Sequence, residues 1–236
     1  RRANLDEQGL LLHPRILEGP TGARARFDGR VVINLASNNY LGLSNHPRMN
    51  AAASKAATEL GAGTGAVRTI AGSMSQHREL ERRLAEFKHA EDALMFQSGF
   101  TANAGTVAAI LDQHDVIVSD RLNHASIIDG ARLSRAEIKV FEHKDAEHAD
   151  ALLEETKATD RRQLLITDGV FSMDGDIAPL PTLVEVAERH GAIMMVDDAH
   201  ASGVLGAGGA GTVDHFGLHG RVDVQVGTLS KAIGVL

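Results

Sequence analysis

Three consecutive stretches decide the fold: RQLLITDGV at 162–170, LPTLVEVAERHG at 180–191 and AIMMVDDA at 192–199. The first and third are short apolar runs without the strict polar–apolar alternation of a half-exposed strand. Strands buried on both faces look like this. The middle stretch carries its apolar residues at helical spacing and closes on a glycine. A strand, a helix and another strand of this kind form a unit whose two strands run parallel in one sheet.

Working outward, the same alternation continues. DALMFQS (92–98), DVIVSD (115–120), IKVFEH (138–143) and DVQVGT (223–228) read as strands. FTANAGTVAAIL (100–111), HASIIDGARLS (124–134) and HADALLEETKA (148–158) read as helices. The expectation is an α/β fold, a mostly parallel sheet with helices on both faces. Upstream, residues 1–22 read as a short helix and an irregular arm, and RVVINLASNNYLGL (30–43) as a strand running into a polar turn. HPRMNAAASKAATEL (46–60) has helix chemistry, with Pro47 suited to a first turn. QHRELERRLAEFKHA (76–90) is a charged amphipathic helix with Leu80, Leu84 and Phe87 on one face. Gly61, Gly63, Gly65 and Gly72 fit turns; they match no nucleotide-binding glycine pattern.

Composition narrows the class. The 236 residues are 43% hydrophobic and 23% charged, with a net charge of −7, enough for one substantial core. The acidic balance argues against a nucleic-acid binder. The chain has no cysteine, so thiolate metal sites and a disulfide scaffold are ruled out. No apolar run is long enough for a membrane-spanning helix, Arg1-Arg2 opens no signal peptide, and the default expectation is a cytoplasmic protein. The 12 histidines show no H-x-x-x-H metal pair, and no metal is expected.

In open α/β sheets ligands sit beyond the carboxyl ends of the strands. Reading those ends in turn yields Gly99 and Phe100; Asn123 and His124; Ser172; Asp197, Asp198 and His200; and Thr228, Ser230 and Lys231. Singly each has a plainer explanation, as a cap, a turn hydroxyl or a surface lysine. Together, at successive strand ends, they supply a helix N-terminus, two histidines, hydroxyls, a carboxylate and a lysine set among small and apolar residues.

NHASIIDG (123–130), TDGVFSMDGD (167–176), MVDDAHASGVLG (195–206) and GTLSKAIG (227–234) together resemble the α-oxoamine synthase family of pyridoxal-phosphate (PLP) enzymes, in motif order and spacing from about Gly9 to the last residue. The resemblance implies the large domain of a fold-type I PLP-dependent transferase. Residues 1–35 would be the N-terminal arm and start of the fold. Residues 36–236 would be the PLP-binding domain, incomplete at its C-terminus, with the small C-terminal domain absent from this chain.

It also implies the roles. Lys231 would be the Schiff-base lysine and the base, since a desolvated lysine can be a free amine at neutral pH. Asp197 would hold the pyridine nitrogen protonated. His124 would stack on the ring, with His200 and Ser172 near its phenolic oxygen. Gly99 and Phe100 would bind the phosphate at a helix N-terminus, helped by Thr228. Asn38, in ASNNYLG (36–42), and Arg15 would touch substrate.

The reaction implied joins an amino acid to an acyl-CoA, in a homodimer with a shared active site. GAVRTIAGS (65–73) and GRVDVQVGTLSKAIG (220–234) point to the glycine C-acetyltransferase branch, which uses glycine and acetyl-CoA. The alternative is the 8-amino-7-oxononanoate synthase branch of biotin biosynthesis, which uses L-alanine and pimeloyl-CoA with decarboxylation. A catalytically inactive scaffold of the same fold is the non-enzyme reading. The joint presence of Lys231, Asp197 and His200 argues against it.

Overall fold

The computed structural model describes residues 2–157 and 161–235. The chain opens with helix α1 (Arg2–Glu7) and an irregular stretch. A hairpin follows, of β1 (Arg24–Phe27) and β2 (Arg30–Ile33). Asp28 and Gly29 turn it, both at positive φ (47° and 77°), the geometry that two-residue hairpin loops require. Helix α2 (Pro47–Leu60) starts as its sequence predicts, with the His46 side chain accepting the Arg48 N–H, yet it buries no residue.

Helix α3 (Ser75–Lys88) also forms as predicted, but its anchor is not the expected apolar stripe. Leu80 and Leu84 are half-buried and Phe87 is exposed, whereas Glu81 and Ala85 are buried. The Glu81 carboxylate pairs with Arg68 and Arg78 and accepts the Met95 N–H at 3.0 Å. That last bond explains a correction. Residues 92–98, expected as a strand, pair with no strand among the described residues. The Met95 backbone donor goes to a buried carboxylate, and a cavity of about 1140 Å³ is lined by both this segment and the edge of the sheet.

From residue 99 onward the alternation is realised. Helix α4 (Gly99–Ile110), β3 (Val116–Asp120), α5 (Ala125–Ser134), β4 (Glu137–Phe141), α6 (Ala146–Glu155), β5 (Gln163–Asp168), α7 (Leu180–His190), β6 (Ile193–Asp197), the single-turn α8 (Thr212–His215) and β7 (Val224–Val226) follow in order. The helix expected to run to residue 158 is described to Glu155; residues 158–160 lie outside the described residues.

The five strands form one parallel sheet in the order β4-β3-β5-β6-β7. All residues of β3 and β5 are buried, as their non-alternating sequences require. Successive side chains still point to opposite faces. Ile117, Leu164, Ile166 and Met195 pack with Val107 of α4 and Ile127 of α5, whereas Val118, Leu165, Met194 and Val196 pack with Leu153 of α6 and Leu183 of α7. Each face has its own apolar core, and the two cores hold the strand ends in register.

Candidate active site

The chain leaves β3 to form β4 on one side, then returns to lay β5 on the other. Such a reversal opens a crevice at the strands' carboxyl ends. Asp168 and Asp197 are the last residues of β5 and β6 and sit opposite each other in the ladder. Lys231 follows β7 in a turn that buries Ala232. Gly203, at φ 86°, lets that turn approach, since a Cβ there would meet the Ala232 Cβ at 2.5 Å.

Burial sets the protonation states. Desolvation pushes the half-buried Lys231 amine down from its ordinary value, with Asp197 and Asp168 pulling the other way. Burial pushes Asp168 up to about 8, and the neighbouring Asp197 charge adds to it. Asp197 is likewise raised by burial, opposed by the hydrogen bonds it accepts. Those come from Asn103 Nδ2 at 2.6 Å and the Ala199 N–H at 2.9 Å.

Asn103 is the hub of this network. Its Nδ2 also reaches Ser126 Oγ at 2.9 Å, and Ser126 Oγ lies 2.7 Å from His124 Nδ1. The Ser126 N–H points at the same nitrogen, so Nδ1 is an acceptor and the ring proton belongs on Nε2. Asp168 accepts the His124 N–H at 3.0 Å, and its own N–H donates to Asn123 Oδ1 at 2.8 Å. Asn123 in turn donates to Ser119 and to the Ile166 carbonyl. Three strand ends are thereby locked together behind one exposed imidazole.

His200 lies half-buried after β6, and burial, with the Lys231 and His124 charges, pushes it down to about 4. Its Nδ1 is 2.7 Å from the Tyr40 hydroxyl, which also reaches Asn38 Oδ1 at 3.3 Å. Asn38 is thus joined to the strand-end group through Tyr40. Next to Asp197, Asp198 is fully buried and holds Lys88 Nζ at 2.8 Å together with Thr212.

At the other end, Ser98 caps α4 by accepting the Thr101 N–H, with Gly99 as first helical residue. Gly99 packs against Thr228, whose Cβ would lie 3.4 Å from a Cβ there, an ordinary contact. Thr228 Oγ1 lies 2.8 Å from Ser230 Oγ, and Phe100 is exposed beside them. Ser172 is in an exposed turn at 172–174. Arg15 is exposed and paired with Asp28 on the arm, and among the described residues no hydrogen bond or ion pair joins Arg15 or Ser172 to the strand-end network.

Asn103, Ser126, Asp168 and Tyr40 were missed in the sequence, and Asn123 was noted at its strand end without a role. Asp168 had the same signal as Asp197, a carboxylate closing a buried strand. Asn103 was visible as the lone amide in an otherwise small and apolar helix.

A small molecule that is anionic at one end and cationic at the other fits this arrangement. The α4 N-terminus with the Thr228 and Ser230 hydroxyls suits an anion. The buried Asp197 suits a cationic N–H, which would offset the desolvation that raises its carboxyl. Asn103 lies one helical turn beyond Gly99, about 6 Å along the axis, so α4 spaces the two ends.

Comparison with known proteins agrees with the fold and corrects the substrate expectation. The family "Aminotransferase class I and II" matches residues 30–236. An 8-amino-7-oxononanoate synthase of Thermoanaerobacter pseudethanolicus is 59% identical over 98% of this chain. Another, from Alkaliphilus metalliredigens, is 60% identical over 98%. The chain spans 59% of the length of each. A serine palmitoyltransferase from S. paucimobilis, solved with PLP and myriocin bound, superposes with a TM-score of 0.92 at 34% identity, over 100% of this chain and 59% of its own.

These relatives overturn the expected glycine C-acetyltransferase assignment. The stretches that suggested it have other work in the structure. Arg68, in 65–73, ties down Glu81 of α3, and 220–234 supplies β7, Thr228 and Lys231. The sheet, its helices and the order of motifs are those of a fold-type I transferase, and the chain belongs to the aminotransferase class I and II family, within its α-oxoamine synthase branch.

Proposed function

We propose that this chain is the cofactor-carrying part of a PLP-dependent 8-amino-7-oxononanoate synthase, which joins L-alanine to a pimeloyl thioester with loss of carbon dioxide. The observation that carries this reading is identity of 57–60% over nearly the whole chain to relatives of that name. Bound PLP supplies an electron sink for the pair left on the amino acid's α-carbon.

The residues described here do the rest. Lys231 Nζ, its amine pushed towards the free base by burial, is the nucleophile that holds the cofactor and the base that takes the α-proton. Asp197, steered by Asn103 and the Ala199 N–H, holds a proton on the cofactor's ring nitrogen. His124, its Nδ1 engaged by Ser126, offers a fixed imidazole face to the ring. His200, neutral well below pH 7, and Ser172 serve the ring oxygen. The N–H groups of Gly99 and Phe100, with Thr228, take the phosphate. Asn38 takes substrate beside Tyr40. Arg15 serves as a second substrate contact, reached from the arm at residues 2–22 across a homodimer interface. No helix among the described residues is long and apolar enough to cross a membrane; the reading of the enzyme as a cytoplasmic homodimer rests on the family resemblance.

The test is kcat/KM of the full-length, PLP-loaded protein with each substrate pair. L-alanine with pimeloyl-CoA should exceed glycine with acetyl-CoA by more than the ~10–200-fold that one methylene is worth in an apolar pocket, because the acyl chains differ by several carbons. Equal values for the two pairs would reject the proposal.

A further inference from the structure

A second group of chemistry-bearing side chains lies away from the strand-end site. His89 closes α3, Asp214 sits in α8, and His219 follows in the loop before β7; each offers a ligand atom, and these atoms lie within 4.8 Å of one another. The two imidazole rings are 4.5 Å apart, edge to face. His219 Nε2 is 2.9 Å from Asp214 Oδ1. Sequence spacing offers no hint of this group, because its members come from two distant stretches of chain.

The local backbone is arranged to present these atoms. His89 is the α3 C-cap and sits at φ 52°, a left-handed position that helices usually give to glycine. A side chain is kept there against the backbone preference. Asp214 is largely buried, and its Oδ2 accepts the Ala207 N–H. The carboxylate is therefore oriented from behind, leaving Oδ1 towards the histidines. Metal-binding carboxylates are characteristically held in this way. Close approach is also built in, since a Cβ on Gly206 would meet Asp214 Oδ2 at 2.5 Å. The cation closest in sequence, Lys88, is turned away to Asp198 and the Ala210 carbonyl.

We infer that His89, Asp214 and His219 form a binding site for a borderline divalent transition-metal ion of the Zn²⁺ type. Two imidazoles and one carboxylate, without a thiolate, favour such an ion over Mg²⁺ or Ca²⁺, which prefer all-oxygen shells. Ligand distances of about 2.0–2.2 Å require only a small inward shift of the rings and leave a fourth position for water. The ion would fasten the end of α3 to the loop at 206–219. Within that loop Thr212 binds Asp198, whose neighbour is Asp197. The site is thus structural, and no bond of the proposed reaction is made or broken there.

The test is calorimetric titration of Zn²⁺ alone into the full-length, PLP-loaded protein, with Mg²⁺ in a parallel cell. One Zn²⁺ should bind per chain, with at least 10-fold preference over Mg²⁺. His89→Ala, His219→Ala and Asp214→Asn should each weaken it by more than about 10-fold, since even outer-shell partners of a metal are worth 10–100-fold. His89 and His219 are exposed, so those two variants should fold, and an unchanged far-ultraviolet spectrum checks this. His114→Ala, at another exposed histidine, should bind as the parent does. Absence of a stoichiometric Zn²⁺ site, Mg²⁺ binding as tight as Zn²⁺, or binding that survives both His89→Ala and His219→Ala would overturn the assignment.

Discussion

The two parts of the molecule, before and after residue 99, handle their apolar residues in opposite ways. After it, each strand of the sheet's centre is covered on both faces, and Leu164, Leu165, Ile166 and Met195 are fully buried. Before it, Leu12, Leu35 and Ile70 are 89%, 93% and 85% exposed, and α2 buries nothing. The first part leaves apolar side chains in solvent; the second covers its strands with its own helices. Tyr40 on His200, Leu41 near Gly203, Ser44 against Gly234 and Lys88 on Asp198 are among the contacts that tie the first to the second near the site.

The largest effect that would sharpen this contrast is at Lys231. In the full-length enzyme Lys231→Ala should lower turnover at least ~10³-fold, since nucleophile and base are lost together, with the fold intact by circular dichroism. Near-parental turnover would move the chemistry elsewhere. Asp197→Asn comes next, at about 10²-fold in α-proton exchange, the scale of losing one preorganised electrostatic contact. Asn103→Ala should cost about 10-fold in the same assay, because the amide orients Asp197 and Ser126 at once; leaving a buried partner unpaired costs about 1–3 kcal/mol. An Asn103→Ala enzyme with unchanged exchange would separate the network from the chemistry.

The third lever is pH. Asp168 has its carboxyl raised from 3.8 to about 8. A raised folded value means that stability is fully present below about pH 4 and declines as pH rises towards 8, because the unfolded carboxyl releases its proton first. The cofactor-free chain should therefore weaken across that window in urea titrations, and Asp168→Asn should flatten the slope. An unaltered slope would show that Asp168 is ionised in the folded protein.

The smallest effects compare the two parts directly. Leu165→Ala should destabilise by about 2–5 kcal/mol, as buried leucines do. Leu35→Ser should leave chain stability within about 0.5 kcal/mol while weakening self-association in sedimentation. Equal losses in both would erase the distinction.

The sheet was legible because strands buried on both faces announce themselves as short apolar runs. Residues 92–98 carry the same signal yet pair with no strand among the described residues, and the Met95 N–H goes to Glu81; periodicity cannot reveal which partner an N–H takes. Strand ends exposed Asp197, His200 and Lys231 as candidates, but Asn103 acts from the middle of a helix and Tyr40 from across the chain, contacts that only the fold creates. The acyl preference was misread because the stretches consulted, 65–73 and 220–234, have other structural work: Arg68 pairs with Glu81, and 220–234 carries β7 and Lys231.

In the proposed enzyme the strand-end crevice holds PLP through Lys231. Borohydride treatment of the full-length, PLP-loaded protein, followed by peptide mass spectrometry, tests it most directly. One phosphopyridoxyl group per chain is expected, on the peptide containing Lys231, and none in Lys231→Ala. Stoichiometric label on any other lysine, or label undiminished in Lys231→Ala, would contradict it.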